Sequence, residues 1–401
     1  MHLRPSNLRA ASCVAILALA LTACRSVDAS NGAEAQGPSP GPAAGAAAQL
    51  DTAGFDLWFD DAMERGELMG AALLAREGEV LWHRIHGAAE FGPGGEVLRP
   101  LNEASIFELA SVGKAFTAMA VLTLVEAGEV SLDAPVATYL PRFPYADTHV
   151  EHLLTHTSGL VDYLGGMEDA DVPDGWVHND DVVAWVAAER VERNFPAGTS
   201  FEYSNTNYLL LASIVMEVSG QDFGDYLVEH VFVPLDMQRT FSFTTRYAGS
   251  TPGTIVTTVP GDYAFGYQRS PGGELVLPEL MPDGEELLTV STVHGDGTVV
   301  ADLRDFAMWE AAWTTEVLIP DALRERALSP TTLKGGTTSA YGFAWAVDPE
   351  SGWVSHSGGW PGYTTNVMLN PDTRTVLVFA LTAPVRDWGF IAELEELLEE
   401  L

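Results

Sequence analysis

The sequence predicts an α/β fold of the α+β kind, with a sheet built from both ends of the chain around an all-helical insertion. Three observations predict it. Apolar stretches at Ala71 to Leu74 and Val80 to Ile85, parted by Glu77-Gly78, read as a hairpin. Strands return late in the chain, at Tyr341 to Val347, Asn366 to Leu369 and Thr375 to Leu381. The stretch between them is mostly helical in pattern, with long loops. Sheet segments at both ends imply one discontinuous domain over residues 50–401 rather than two domains in series. The sequence contains no internal repeat.

Taken in order, the chain opens with Arg4 and Arg9 ahead of an apolar run from Cys13 to Leu21, which ends in Leu21-Thr22-Ala23-Cys24. That is a secretion signal over residues 1–23, too short for a stable membrane span. Its ending resembles the lipobox of bacterial lipoproteins, which implies that Cys24 is the first mature residue and carries the lipid. Residues 24–49 are Ala, Gly, Pro and Ser with little to bury, the composition of a flexible tether. The protein is thus expected to be exported and held on a bacterial membrane through Cys24 alone. Phe55 to Met63 reads as an amphipathic helix leading into the hairpin. A second helix, Tyr208 to Val218, is stopped by Gly220, and a last one runs from about Asp387 to Leu401.

Composition narrows the function. With 401 residues, 47% of them apolar, and ten Trp, there is ample material for a core. The only cysteines are Cys13 and Cys24, so the folded part holds no disulfide and no thiolate metal site. A formal charge of -36 argues against nucleic acid, whose phosphates need clustered Lys and Arg. No cofactor is implied, and nothing sets the oligomeric state.

The chemistry starts at Leu109 to Val125, LASVGKAFTAMAVLTLV, which reads as a helix apolar on every side with one charge, Lys114. Such a helix belongs in the interior, where an unpaired ammonium is costly. Ser111 stands three residues earlier, on the same helix face as Lys114. Desolvation lowers a lysine's pKa, so Lys114 can act as a base on a hydroxyl that is a poor nucleophile by itself. N–H groups at the helix start suit a developing oxyanion. Tyr203-Ser204-Asn205 presents a phenol and an amide at another helix entrance. His356-Ser357-Gly358-Gly359 reads as a junction between two strands, with glycines that let a substrate lie against the backbone.

S-x-x-K, Y-x-N and H-x-G in that order resemble the serine penicillin-recognising enzymes. Further matching segments are LLTHTSGL at 153–160, GDGTVV at 295–300 and HSGGWPGY at 356–363, so the resemblance covers most of residues 50–385. The version is similar to class C β-lactamases, D-alanyl-D-alanine carboxypeptidases, D-aminopeptidases and related esterases. It implies a β-lactamase/transpeptidase-like fold, an antiparallel sheet flanked by helices. It also implies a serine hydrolase that forms an acyl-enzyme on an ester or amide, from a short-chain ester or a D-amino-acid peptide. By the same resemblance Ser111 attacks, Lys114 and Tyr203 move protons, and Asn205 orients the substrate amide or the lysine. The oxyanion would lie between the N–H groups of Ser111 and Gly359, and His356, Ser357 and Gly358 complete the substrate wall. His356 stands where β-lactamases of this kind carry lysine. An ordinary histidine is mostly neutral near pH 7, which disfavours anionic antibiotics and is expected to relent at lower pH. Two alternatives remain, a class C-like β-lactamase and a penicillin-binding sensor or scaffold that does not turn over.

Other signals are set aside. His149, His152 and His156 have near-helical spacing, but Leu153 stands where a zinc protease needs glutamate, so packed or N–H-bonded histidines are expected and no metal. No G-x-S-x-G elbow occurs in the chain. Trp360 and Tyr363 are assigned to packing. Loops around 161–195 and 241–292 are expected to shape the pockets.

Overall fold

The structure is a computed structural model, and it describes residues 52–399 apart from 67, 168–175, 190–191, 248–256, 282–283, 285–289 and 386–388. The signal peptide, Cys24 and the tether lie outside the described residues. In chain order the elements that matter are helix α1 (Ala53–Glu64), strands β1 (Gly70–Arg76), β2 (Glu79–His86) and β3 (Ile106–Glu108), and helices α2 (Gly113–Glu126) and α3 (Asn205–Ser219). Then follow β4 (Thr240–Ser242), β5 (Val299–Asp302), α4 (Asp305–Thr314), β6 (Ala346–Val347), β7 (Val354–Trp360), β8 (Tyr363–Asn370), β9 (Thr375–Leu381) and α5 (Gly389–Glu399).

The main sheet has the order β6-β7-β8-β9-β1-β2, with every neighbour antiparallel. The hairpin from the start of the chain is therefore zipped onto the last strand, Gly70 opposite Leu381 and Arg76 opposite Thr375. Alternation explains how both faces are used. Leu377, Phe379 and Leu381 meet Phe55, Trp58 and Phe59 of α1 and Phe390 and Leu394 of α5. Val376, Val378 and Ala380 face the helical body instead. β9 is consequently buried along its whole length.

Helix α2 is buried on every side, as its composition requires, and it packs on α3. Its start differs from the expected one. Ala110–Val112 forms a separate 3₁₀ turn, and regular helix begins at Gly113. The helical middle also contains a small sheet in the order β3-β5-β4, whose strands of three or four residues are too short to leave a periodic signature. Residues 161–195 are not loop throughout, because Tyr163–Gly166 and Asn179–Glu189 are helical. At the other end the expected strand from Tyr341 is strand only at Ala346–Val347.

Candidate active site

The site lies where three buried pieces converge: the turn before α2, the entrance of α3 and the edge of β7. Ala110 has φ 47°, a left-handed backbone that a residue with a Cβ adopts at a cost of about 1–2 kcal/mol. It turns the chain so that Ser111 faces the cavity while Leu109 stays in the core. The turn is pinned to the sheet by Thr365 Oγ1, which donates to the Leu109 carbonyl at 2.7 Å. Gly358 makes that approach possible. A Cβ there would lie 2.3 Å from the Leu109 oxygen and 2.2 Å from Thr365 Oγ1, so any side chain would push β7 off the turn.

Lys114 is fully buried, and its ammonium donates to Ser111 Oγ at 3.0 Å, Asn205 Oδ1 at 2.7 Å and the Asp296 carbonyl at 2.6 Å. Burial lowers its pKa to about 8, against the opposing pull of the Asp296 and Asp162 charges. Asn205, the first residue of α3, is held by Asp162, whose Oδ2 accepts from both the backbone N–H and Nδ2 of Asn205 at 2.8 Å. That bond fixes the amide, so its oxygen points at Lys114. Of the two roles open for Asn205, orienting the lysine is the one this geometry serves. Burial also raises the Asp296 carboxyl, which accepts from Tyr163 Oη at 2.8 Å.

Tyr203 lies across from this lysine, with Lys114 Nζ 5.0 Å from its ring centre. Its hydroxyl is buried and closes no well-formed hydrogen bond. Burial, followed by the neighbouring Tyr341, raises the phenol well above its ordinary value, and the interaction with Ser111 works against that rise. The ring is backed by His156, 4.2 Å away between ring centres. His156 Nδ1 accepts the Ser204 N–H at 3.2 Å, so the proton of the neutral ring is on Nε2. Burial and then Lys114 keep His156 neutral. This histidine, expected from the sequence to be packed or N–H-bonded, is both, and it braces the Tyr203–Asn205 turn.

β6 pairs with β7 only as far as Ser355, so beyond that point the outer edge of β7 opens onto a cavity of about 710 Å³. Ser111, Tyr203, Asn205, Ser357 and Gly359 line it together. Two sequence readings need correction. His356-Ser357-Gly358-Gly359 is not a junction between strands but lies within β7. His356 is not among the residues that line the cavity. It points into the protein, paired through Nε2 with Tyr341 Oη at 3.0 Å. Burial, followed by the Lys114 charge, lowers it to about 3, so it gains no charge at mildly acidic pH. The expected recovery of anion handling at low pH therefore has no source in His356. Trp360, set aside as packing, is in the cavity wall.

Sequence reasoning missed Glu108, Asp162, Arg246 and Asp296, all of which border the cavity. Asp162 and Asp296 lie within or beside the matched segments, but their roles depend on contacts across the fold. His149 and His152 stack, and the His149 N–H donates to His152 Nδ1 at 3.0 Å, an N–H-bonded pair at a helix start. Among the described residues no group of three or more His, Cys, Asp or Glu is placed to hold a metal ion.

The arrangement is a hydroxyl, a buried amine of lowered pKa and a phenol around a cavity that ends at an open strand edge. Solved structures with the same fold include a penicillin binding protein from Bacillus halodurans, with TM-score 0.68 and 25% identity, covering 84% of this chain and 98% of that one. A D-amino acid amidase from Ochrobactrum anthropi has TM-score 0.66 at 22% identity, covering 86% and 96%. In sequence, a penicillin-binding protein of Bacillus subtilis (strain 168) is 35% identical over 325 residues, 80% of this chain and 69% of its own length. Esterase EstB of Burkholderia gladioli is 36% identical over 217 residues, 49% and 51%. The family model described as Beta-lactamase matches residues 55–399, so the chain belongs to the Beta-lactamase family of serine hydrolases.

Proposed function

We propose that the protein hydrolyses an ester or amide through an acyl-enzyme on Ser111, with Lys114 as the principal base and Tyr203 as the proton donor to the leaving group. The observation that carries this is the wholly buried Lys114 amine, 3.0 Å from Ser111 Oγ and with its pKa brought down to about 8. On the order of a tenth of it is neutral at pH 7, enough for a working base. Ser111 Oγ attacks the carbonyl carbon and passes its proton to Nζ. The oxyanion is received by the N–H groups of Ser111 and Gly359. When the tetrahedral intermediate collapses, Tyr203 protonates the leaving group and takes the proton held by Lys114. Water then enters against the same lysine and releases the acid.

A second reading, β-lactam hydrolysis, is favoured by the B. subtilis relative, whose name records penicillin binding. The cavity wall favours the first. Its charged residues are Glu108, Asp162, Glu202 and Asp296 against Arg246, and Arg246 is already paired with two carboxylates. Among the described residues, a substrate carboxylate therefore finds no unpaired cation in the wall. We expect a short-chain p-nitrophenyl ester to be turned over with a higher kcat/KM than a chromogenic cephalosporin. Equal or better cephalosporin hydrolysis would make β-lactamase the better name. A fluorescent penicillin that stays attached, with no ester turnover, would indicate the sensor.

The N-terminal reading adds a location. Export and a lipid on Cys24 would hold the enzyme at a bacterial membrane, and among the described residues no helix is long and apolar enough to cross one. Cys24→Ser is expected to move the protein from the membrane to the soluble fraction, read by fractionation and blotting. Unmodified protein found free in the periplasm would count against the anchor.

A further inference from the structure

One corner of the cavity has no part in the acyl-transfer steps. Glu108, three residues before the nucleophile and the last residue of β3, is in the cavity wall, and Oε1 takes both of its hydrogen bonds among the described residues. One comes from Arg246 Nη1 at 2.9 Å and the other from the Tyr263 hydroxyl. Arg246 is 5% exposed, and its other arm is held by Glu279, itself 3% exposed, at 3.2 Å and 3.4 Å. Two carboxylates thus share one guanidinium. The formal charge of the trio is negative, and Glu108 Oε2 is the oxygen left for a ligand.

The surroundings favour a cation. Phe243, Tyr247 and Trp360 all line the cavity beside this trio. Tyr247 lies 5.0 Å below the guanidinium, and Phe243 and Trp360 pack in the cluster of Tyr263. Aromatic faces next to a carboxylate are the chemistry that receives an organic ammonium, since ring quadrupole and charge attract it together. An anion would meet Glu108 first. A neutral group would leave the excess charge of the corner unanswered.

We infer that the Glu108 corner, with Phe243, Tyr247 and Trp360, binds a positively charged amine carried by the substrate, which makes Glu108 a specificity-determining residue. The inference rests on the acyl-enzyme reading above and names the class of substrate that enzyme takes.

The test uses ester pairs that differ only in one nitrogen. On the acyl side, the p-nitrophenyl ester of 4-(trimethylammonio)butanoic acid is compared with that of 5,5-dimethylhexanoic acid. On the leaving side, acetylcholine is compared with 3,3-dimethylbutyl acetate. Assays run at high salt, which screens the long-range field of the acidic surface but not a contact in the cavity. The cationic member of at least one pair is expected to have a kcat/KM higher by about tenfold or more. Glu108→Gln should collapse that ratio, while Glu279→Gln, outside the wall, should reduce it less. Tetramethylammonium should also slow fluorophosphonate labelling of the unmodified protein, an arm that needs no variant. Turnover of both neutral esters with no cationic preference in either pair would overturn the assignment. So would a preference unchanged in a Glu108→Gln protein that still labels. If the unmodified protein neither labels nor turns over any ester, the acyl-enzyme reading itself fails and this inference falls with it.

Discussion

Ser111→Ala is expected to abolish fluorophosphonate labelling and to lower ester turnover by roughly 10⁴-fold or more, the scale on which removing a catalytic nucleophile acts. The fold should survive. The change removes one oxygen at the cavity wall, and the Lys114 ammonium keeps its bonds to Asn205 Oδ1 and the Asp296 carbonyl. The strained turn at Ala110 and its tie from Thr365 are backbone features that the substitution leaves alone. Mass spectrometry of the trapped adduct, thermal unfolding and a rate assay on the same preparation check all three statements. A Ser111→Ala protein that keeps its activity would remove the basis of the assignment.

The second large effect is at Lys114. Lys114→Met fills most of the volume of the lysine without the amine and is expected to cut the acylation rate by about 10²–10⁴-fold, the range of general base catalysis. It also leaves the Asn205 and Asp296 oxygens without their donor, so unfolding should be measured beside the rate. The pH profile separates chemistry from structure. With the lysine pKa lowered to about 8, the neutral base is the minor form below that point and grows as pH rises. Acylation in the unmodified protein should therefore increase about tenfold per pH unit on the acid side and level off above about 8. The Met variant should lose that limb. A profile flat from neutral pH upward, with the amine present, would show that Lys114 is not the base.

The proposed catalytic trio of Ser111, Lys114 and Tyr203 was legible because Lys114 is one of only two lysines and stands alone in an apolar helix. Burial of that helix forces the charge to be explained, and Ser111 sits on the same face. Tyr203 and Asn205 were legible through their order and spacing relative to it. The ends of the sheet were legible too, since the seven-residue strands β1 and β9 are buried almost throughout and so leave apolar runs long enough to stand out in the sequence. What sequence alone hid depends on long-range contacts. Glu108 and Arg246 are joined by a hydrogen bond between residues 138 positions apart, and nothing local to either marks the pair. His356 was placed correctly in the chain but given the wrong environment. Its neighbour Ser357 faces the cavity, and alternation along β7 turns the imidazole inward to Tyr341. The strands β3, β4 and β5 are too short for any periodicity to show.

The arrangement of the main sheet bears on when the protein can fold. β1 is an interior strand, bonded on one side to its hairpin partner β2 and on the other to β9. The second pairing joins segments about three hundred residues apart, so loop closure must precede any gain from it. Until the last strand arrives, β1 has one edge bare and its apolar face uncovered, as does helix α1 while α5 is missing. A nascent chain thus cannot complete its core from the N-terminal end. If it leaves the cell N-terminus first, it crosses the membrane with the sheet still open and closes it on the far side.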